Sequence, residues 1–182
     1  MKASLFKTGG LALCASLLIA GCSSSPTQPM TNMKTVQLNA VSANGIGASV
    51  GTVTLQDSPV GLIIQTNLTN LPMGPHGFHV HEKGSCEPAE KDGKMVAALA
   101  AGGHYNPTQV EHHGTPLTGH MGDLPVLNVN SAGQSQLKLI APRLKLADIQ
   151  GHALMIHAGS DNYSDQPKPL GGGGERIACG VI

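Results

Sequence analysis

The sequence predicts an all-β fold, an antiparallel sandwich or barrel, carried by a single domain. Three observations support this. Short segments rich in Val, Ile, Leu and Thr recur between Gly, Pro, Asn and Asp, and several alternate apolar with polar residues as half-buried strands do. One stretch alone, around residues 146–150, suits a helix, and it is short. A chain of 182 residues can bury a core of its own without many staples, and 40% hydrophobic content argues against disorder.

Taken in order, the strand candidates are 34–41 (KTVQLNAV), 49–56 (SVGTVTLQ), 60–68 (VGLIIQTNL), 76–81 (HGFHVH), 124–129 (LPVLNV), 135–140 (SQLKLI), 153–157 (ALMIH) and 176–181 (RIACGV). Phe78 is the one Phe beyond the N-terminal leader and Trp is absent, so the core is built from aliphatic side chains. Two stretches break the rhythm: residues 82–123, rich in Gly, His and Pro, and residues 158–175, ending in four glycines. Connections of this length inside a compact domain are usually functional. Both abut strands that carry histidine, which is where chemistry is expected.

Composition excludes several classes. Charged residues make up 12% of the chain with 11 basic against 11 acidic, so no basic patch is available to track phosphates. Aromatic residues at 2% leave no stacking platform for single-stranded nucleic acid. Nine His against two Arg is the unusual balance, and it points to metal.

Residues 1–21 read as an export leader. Lys2 and Lys7 form a positive start, and the apolar run at 11–20 is too short for the roughly 20 residues of a membrane span. The run ends in Leu18-Ile19-Ala20-Gly21-Cys22, which resembles a bacterial lipobox and implies lipid on Cys22. Ser23, in place of the aspartate that retains lipoproteins at the inner membrane, favours anchoring at the outer membrane. Residues 22–33 then form a polar tether, and 34–182 the folded domain. Removal of Lys2 and Lys7 takes the basic count from 11 to nine against 11 acidic, a net charge of about −2. Cys14 falls in the leader and Cys22 takes the lipid, leaving Cys86 and Cys179. In an oxidising compartment these most simply form a disulfide; the alternative, two thiolate metal ligands, is disfavoured by their separation and by abundant His.

His79-Val80-His81 places two imidazoles on one face of a strand. His104, His113, His120 and Asp123 follow in a single connection, and His157 lies on a late strand. Three imidazoles with one carboxylate suit a closed tetrahedral zinc site, and several imidazoles without thiolate suit oxidised copper. Two four-ligand sites need eight ligands from seven residues, so one His must serve both ions through its two ring nitrogens.

The motifs GFHVHE (77–82), GGHYNP (102–107), HGTP (113–116), GHMGDLP (119–125) and GGGGERIACGVI (171–182) together resemble a bacterial copper,zinc superoxide dismutase over residues 34–182. The resemblance implies an eight-stranded antiparallel Greek-key β-barrel, an immunoglobulin-like sandwich with two long functional loops. It implies one copper and one zinc ion per subunit: copper on His79, His81, His104 and His157, and zinc on His104, His113, His120 and Asp123, with His104 bridging. It also implies that Asp161 links a copper His to a zinc His, that Arg176 docks superoxide, and that Cys86 pairs with Cys179. Lys91 and Lys94 match substrate-steering lysines. The segment between His113 and His120 is about one residue shorter than in many bacterial members. His112 rivals His113, which is preferred because Gly114 follows it. His76, His112 and His152 read as structural or surface residues, and Tyr105 and Tyr163 as loop packing.

The expected role is dismutation of superoxide to oxygen and hydrogen peroxide, in the periplasm, with a membrane contact only through the lipid. Monomer and homodimer both stay open. The rival reading is a periplasmic copper and zinc buffer or donor, which explains export and the His cluster but leaves Arg176 and Asp161 without a role. A noncatalytic β-sandwich lipoprotein would leave all seven ligands unexplained.

Overall fold

The computed structural model describes Met1 and residues 32–182; the leader, Cys22 and nearly all of the tether lie outside the described residues. The folded unit is all-β with antiparallel pairing throughout. Its strands are β1 (Met33–Ser42), β2 (Gly45–Ser58), β3 (Gly61–Leu68), β4 (Gly74–His76), β5 (Phe78–His81), β6 (Ala89–Lys91), β7 (Lys94–Val96), β8 (Leu127–Val129), β9 (Lys138–Ala141), β10 (Ala153–His157) and β11 (Arg176–Val181). Three single 3-10 turns complete it: Leu99–Ala101, Leu146–Asp148 and Leu170–Gly172. The short helix expected near 146–150 is the second of these.

Seven strands share one curled sheet in the order β5-β10-β11-β1-β2-β3-β9. β11 lies beside β1, β9 beside β3 and β10 beside β5, all distant in sequence, which is the connectivity of a Greek key. The expected strand 76–81 is divided at Gly77, so that β4 pairs with β8 while β5 joins the main sheet. β6 and β7 form a hairpin inside the stretch read from sequence as an open connection.

Period-two alternation explains both the core and what lies outside it. Val36 and Leu38 on β1, Val53 and Leu55 on β2, Leu62, Ile64 and Leu68 on β3, and Leu154 and Ile156 on β10 meet in one aliphatic core around Phe78 and Val80. The intervening residues of β5 and β10 face away from that core, yet they too are buried. The two long connections cover them. Met155 and Ala153 pack with Ala98, Ala101, Cys86 and Cys179 in a second, smaller apolar cluster. His79 and His81 occupy the equivalent outward positions of β5, opposite Met155 and Ala153.

Cys86 and Cys179 form a disulfide with a Cα–Cα distance of 5.7 Å, across 93 residues of sequence. It ties the 82–123 connection to β11. The chain-entropy account of such a closure gives about 4.7 kcal/mol of stability. Replacing both cysteines by serine is therefore expected to lower the unfolding free energy by about 4.7 kcal/mol, read by denaturant titration of the metal-free protein. A change below about 1 kcal/mol would mean that the unfolded chain is already compact across this loop.

Candidate metal centre

The outward face of β5 is the floor of the centre. The 82–123 connection returns to this strand twice by backbone hydrogen bonds, at its middle and at its end. Tyr105 N donates to Val80 O at 2.8 Å and Glu82 N to Gly103 O at 3.0 Å; Val80 N donates to Gly122 O at 2.9 Å. These contacts set His104 beside His81 and Asp123 beside His79 as isolated β-bridges. His157 enters from the end of β10, opposite Arg176, where a bulge after Ile156 re-aims it. Seven residues from four stretches of chain thus converge, all of them buried.

Five of the six rings have one nitrogen held by a carbonyl or carboxylate, and His120 is the exception. His81 Nδ1 donates to Gly102 O at 3.0 Å and His157 Nδ1 to Gly174 O at 3.1 Å, leaving their Nε2 atoms 3.3 Å apart. His79 Nε2 and His113 Nε2 each donate to Asp161, at 2.8 Å to Oδ2 and Oδ1. Their Nδ1 atoms, with that of His120, are buried without a well-aligned hydrogen bond, although His113 Nδ1 lies 3.1 Å from Asp123 Oδ2. Buried orphan nitrogens are rare in native proteins, and a cation is the partner that satisfies several at once. His104 Nδ1 lies 2.9 Å from Asp123 Oδ1, while its ring stacks on His79 at a centroid distance of 3.9 Å. A hydrogen bond on one imidazole nitrogen fixes the tautomer and turns the other's lone pair inward.

Two sets of four donors, each with all its ligand atoms within 4.8 Å of one another, result: His79, His81, His104 and His157, and His79, His104, His113 and Asp123. The first is the set expected for copper. The second holds His79 where His120 was expected, because the His79 and His104 rings are in contact. His120 stands at the edge of that set, with Nδ1 3.5 Å from Asp123 Oδ1 and its ring 5.6 Å from that of His104. The imidazole and carboxylate chemistry of both sets fits copper and zinc.

Asp161 bridges His79 and His113, as the sequence resemblance implied, and also accepts from Tyr163 N at 2.7 Å. Gly171, at φ 72°, lies against this carboxylate so closely that a Cβ would collide with Asp161 and His113. Asp123 Oδ2 accepts from Gly114 N at 3.0 Å and His120 N at 2.9 Å, which closes the 114–120 turn around it. Arg176 donates to Ala98 O and Gly102 O, both at 2.6 Å, so the connection pinned by the disulfide aims the guanidinium. Arg176, His81, His104 and His157 line a solvent-reaching cavity of about 210 Å³, with Leu170 at its wall.

Other expectations resolve simply. Lys91 and Lys94 are exposed and face each other across the Asp92-Gly93 turn of the β6–β7 hairpin. His112 is exposed and His113 buried, in keeping with the choice between them. His76 is buried between the carbonyls of Pro72 and His157, each at 2.8 Å, and His152 packs against Tyr105 with the rings tilted at 49°. Tyr163 accepts from Val126 N through its hydroxyl. Sequence reading missed two residues. Asp165 accepts from His113 N at 3.2 Å and Leu170 N at 3.1 Å, joining the two long connections. Arg143 donates to three carbonyls of the 114–120 turn. Its one sequence signal was scarcity, as one of two arginines.

Burial, together with the nearby His104, lowers His79 to about 3 and pushes His81 well down; burial chiefly lowers His157 to about 4. These rings are neutral at physiological pH, the form that ligates metal. Burial opposes protonation of His113 too, but Asp123 and Asp161 outweigh it and hold its pKa at about 9. The same bonds hold both carboxylates far below the usual range against the burial that would raise them. The signs differ for folding. The unfolded chain protonates its histidines near 6.5, before His79, His81 and His157 do so in the fold, so stability falls as pH drops from 6.5 toward 4. The His113 contribution is complete below 6.5 and is lost as pH rises toward 9. The metal-free protein is expected to show its highest melting temperature near pH 6.5, falling on both sides; a midpoint that climbs steadily to pH 9 would contradict the raised His113.

Residues 49–182 match the family model described as copper/zinc superoxide dismutase. The chain is 55% identical to "Superoxide dismutase [Cu-Zn]" of Escherichia coli over 149 residues, covering 81% of this chain and 86% of that protein. Among solved structures it is similar to the Cu/Zn superoxide dismutase from Brucella abortus, with a TM-score of 0.81, 53% identity and coverage of 83% of this chain and 99% of that one. It is also similar to the monomeric copper, zinc superoxide dismutase from Salmonella enterica, with a TM-score of 0.75, 53% identity and the same coverage. With the donor sets, the bridging carboxylate and the match over most of its length, the chain belongs to the copper/zinc superoxide dismutase family.

Proposed function

We propose that His79, His81, His104 and His157 hold copper, that His104, His113, His120 and Asp123 hold zinc, and that with both ions the chain dismutes superoxide. Two superoxide anions and two protons give one oxygen and one hydrogen peroxide. The observation that carries the reading is His104: it belongs to both donor sets, with Nδ1 on the Asp123 side and the ring against His79. His120 is assigned to zinc in preference to His79 because its buried Nδ1 has no other partner, whereas His79 Nδ1 completes the copper set.

Copper held by His79, His81, His104 and His157 would supply a one-electron redox centre, so that one superoxide could be oxidised and the next reduced. The chain supplies the rest. Arg176 presents a permanent positive charge in the cavity beside His81, His104 and His157, and so docks a small anion that offers few other contacts. Burial lowers its pKa but leaves it charged, and the carbonyls of Ala98 and Gly102 fix its plane. His104 Nε2 would take up a proton and yield it to the departing peroxide, while Nδ1, on the Asp123 side, would stay on zinc and keep the ring in place. Asp161 fixes the His79 and His113 tautomers from behind. Lys91 and Lys94 draw superoxide toward a protein whose overall charge does not attract it.

The leader and the disulfide support export to an oxidising compartment, with Cys22 lipidated and the domain tethered in the periplasm at the outer membrane. The test is superoxide decay by pulse radiolysis on protein from residue 23 onward, loaded with copper and zinc. Decay near the ceiling of about 10⁹ M⁻¹s⁻¹, falling as salt rises, is expected; decay no faster than a His81→Ala control at full copper occupancy would overturn the reading. Lys94→Ala is expected to slow decay mainly at low ionic strength. An equal loss at all ionic strengths would remove its steering role.

A further inference from the structure

We propose that Arg143 is a positioning residue for the zinc half of the centre. The inference rests on the zinc assignment above and extends it to a residue that touches no ligand side chain. Arg143 follows β9 in a segment held firmly to the core. Ala141, Leu144 and Leu146 on either side are buried, and Leu146 N donates to Asp57 Oδ1 at 2.8 Å. From this base the guanidinium reaches the turn that carries His120. Nε donates to Pro116 O at 2.7 Å, and one terminal nitrogen donates to Gly119 O and His120 O, both at 2.8 Å.

The polarity of the turn explains why a cation belongs there. Gly114 N and His120 N point inward to Asp123 Oδ2, and the amides of Thr118 and Gly119 are occupied by Thr115 O. Two of the turn's amides thus serve one carboxylate, and the carbonyls of Pro116, Gly119 and His120 accept from Arg143, that of His120 also from Asp123 N at 3.2 Å. Asp123 gathers the donors, and Arg143 gathers the acceptors. Since Asp123 must also present Oδ1 toward His104, it cannot hold the turn alone. Gly119 leaves no slack, because a Cβ there would collide with Asp123 and with the Gly114 backbone. The His120 backbone is therefore clamped from two sides, and its ring direction follows. A planar fork suits three carbonyls in a way that a lysine ammonium does not.

The test is a competition titration of zinc against a chromophoric chelator on the disulfide-bonded chain, comparing the parent with Arg143→Met, Arg143→Lys and His120→Ala. Loss of a residue that orients a ligand is expected to weaken zinc binding 10- to 100-fold in Arg143→Met, with Arg143→Lys intermediate. The visible bands of cobalt bound in place of zinc are expected to shift, while the copper(II) spectrum of copper-loaded protein stays unchanged. A zinc Kd within threefold of the parent, with unchanged cobalt bands, overturns the inference. If Arg143→Met does not fold, Arg143→Lys decides by the same criterion. If His120→Ala retains the parent affinity, the zinc assignment itself fails; if His120→Ala weakens zinc and the Arg143 variants do not, the positioning role alone fails.

Discussion

Two buried carboxylates hold the centre together. Asp161 ties His79 of β5 to His113 of the first long connection, and Asp123 ties His104 to the turn that carries His113 and His120. The first connection has the disulfide and a small apolar cluster to anchor it as well, but the second has little else. In residues 158–175 the buried residues are Asp161, Gly171 and Gly173, so hydrogen bonds rather than apolar packing hold this segment down. A buried carboxylate is costly unless paired, and here each is paired several times over. That need for partners orders the loops, and the ordered loops then leave imidazole nitrogens facing inward.

The sheet makes this arrangement attainable. Alternation along β5 gives Phe78 and Val80 to the core and His79 and His81 to the opposite face, so one short strand serves packing and chemistry together. The disulfide performs the matching task on the other side. It pins the connection whose carbonyls, at Ala98 and Gly102, hold Arg176 beside the cavity. Gly102 O accepts from both His81 and Arg176, so the guanidinium proposed to dock the anion and a ring of the four-histidine set share one backbone atom. A shift of that segment would move both.

The strands were legible because apolar alternation is a strong local signal, and all eight candidate segments contain strand in the structure. The division of 76–81 at Gly77 was not, since pairing of β4 with β8 depends on tertiary contact. The β6–β7 hairpin escaped notice because its strands carry Glu90, Lys91, Lys94 and Met95 exposed, with no apolar period. Its signal was there in Asp92-Gly93, both at positive φ as a type I′ turn requires. That the site histidines and Asp123 gather at one place, with Asp161 against His79 and His113, was readable through spacing and motif. Arg143 and Asp165 were not, because Arg143 serves main-chain carbonyls and Asp165 chiefly main-chain amides, which no side-chain pattern encodes. His120 is the residue for which motif and tightest donor cluster differ, and Arg143 acts on the backbone of that same residue.

On the proposed reading His104 joins two different ions. Anomalous X-ray diffraction at the copper and zinc edges, on crystals of the loaded protein, tests this directly. Expected are a copper peak among His79, His81, His104 and His157, a separate zinc peak among His104, His113, His120 and Asp123, and His104 ligating both through its two nitrogens. A His104 bound to one ion only, or both edges marking one position, would contradict it.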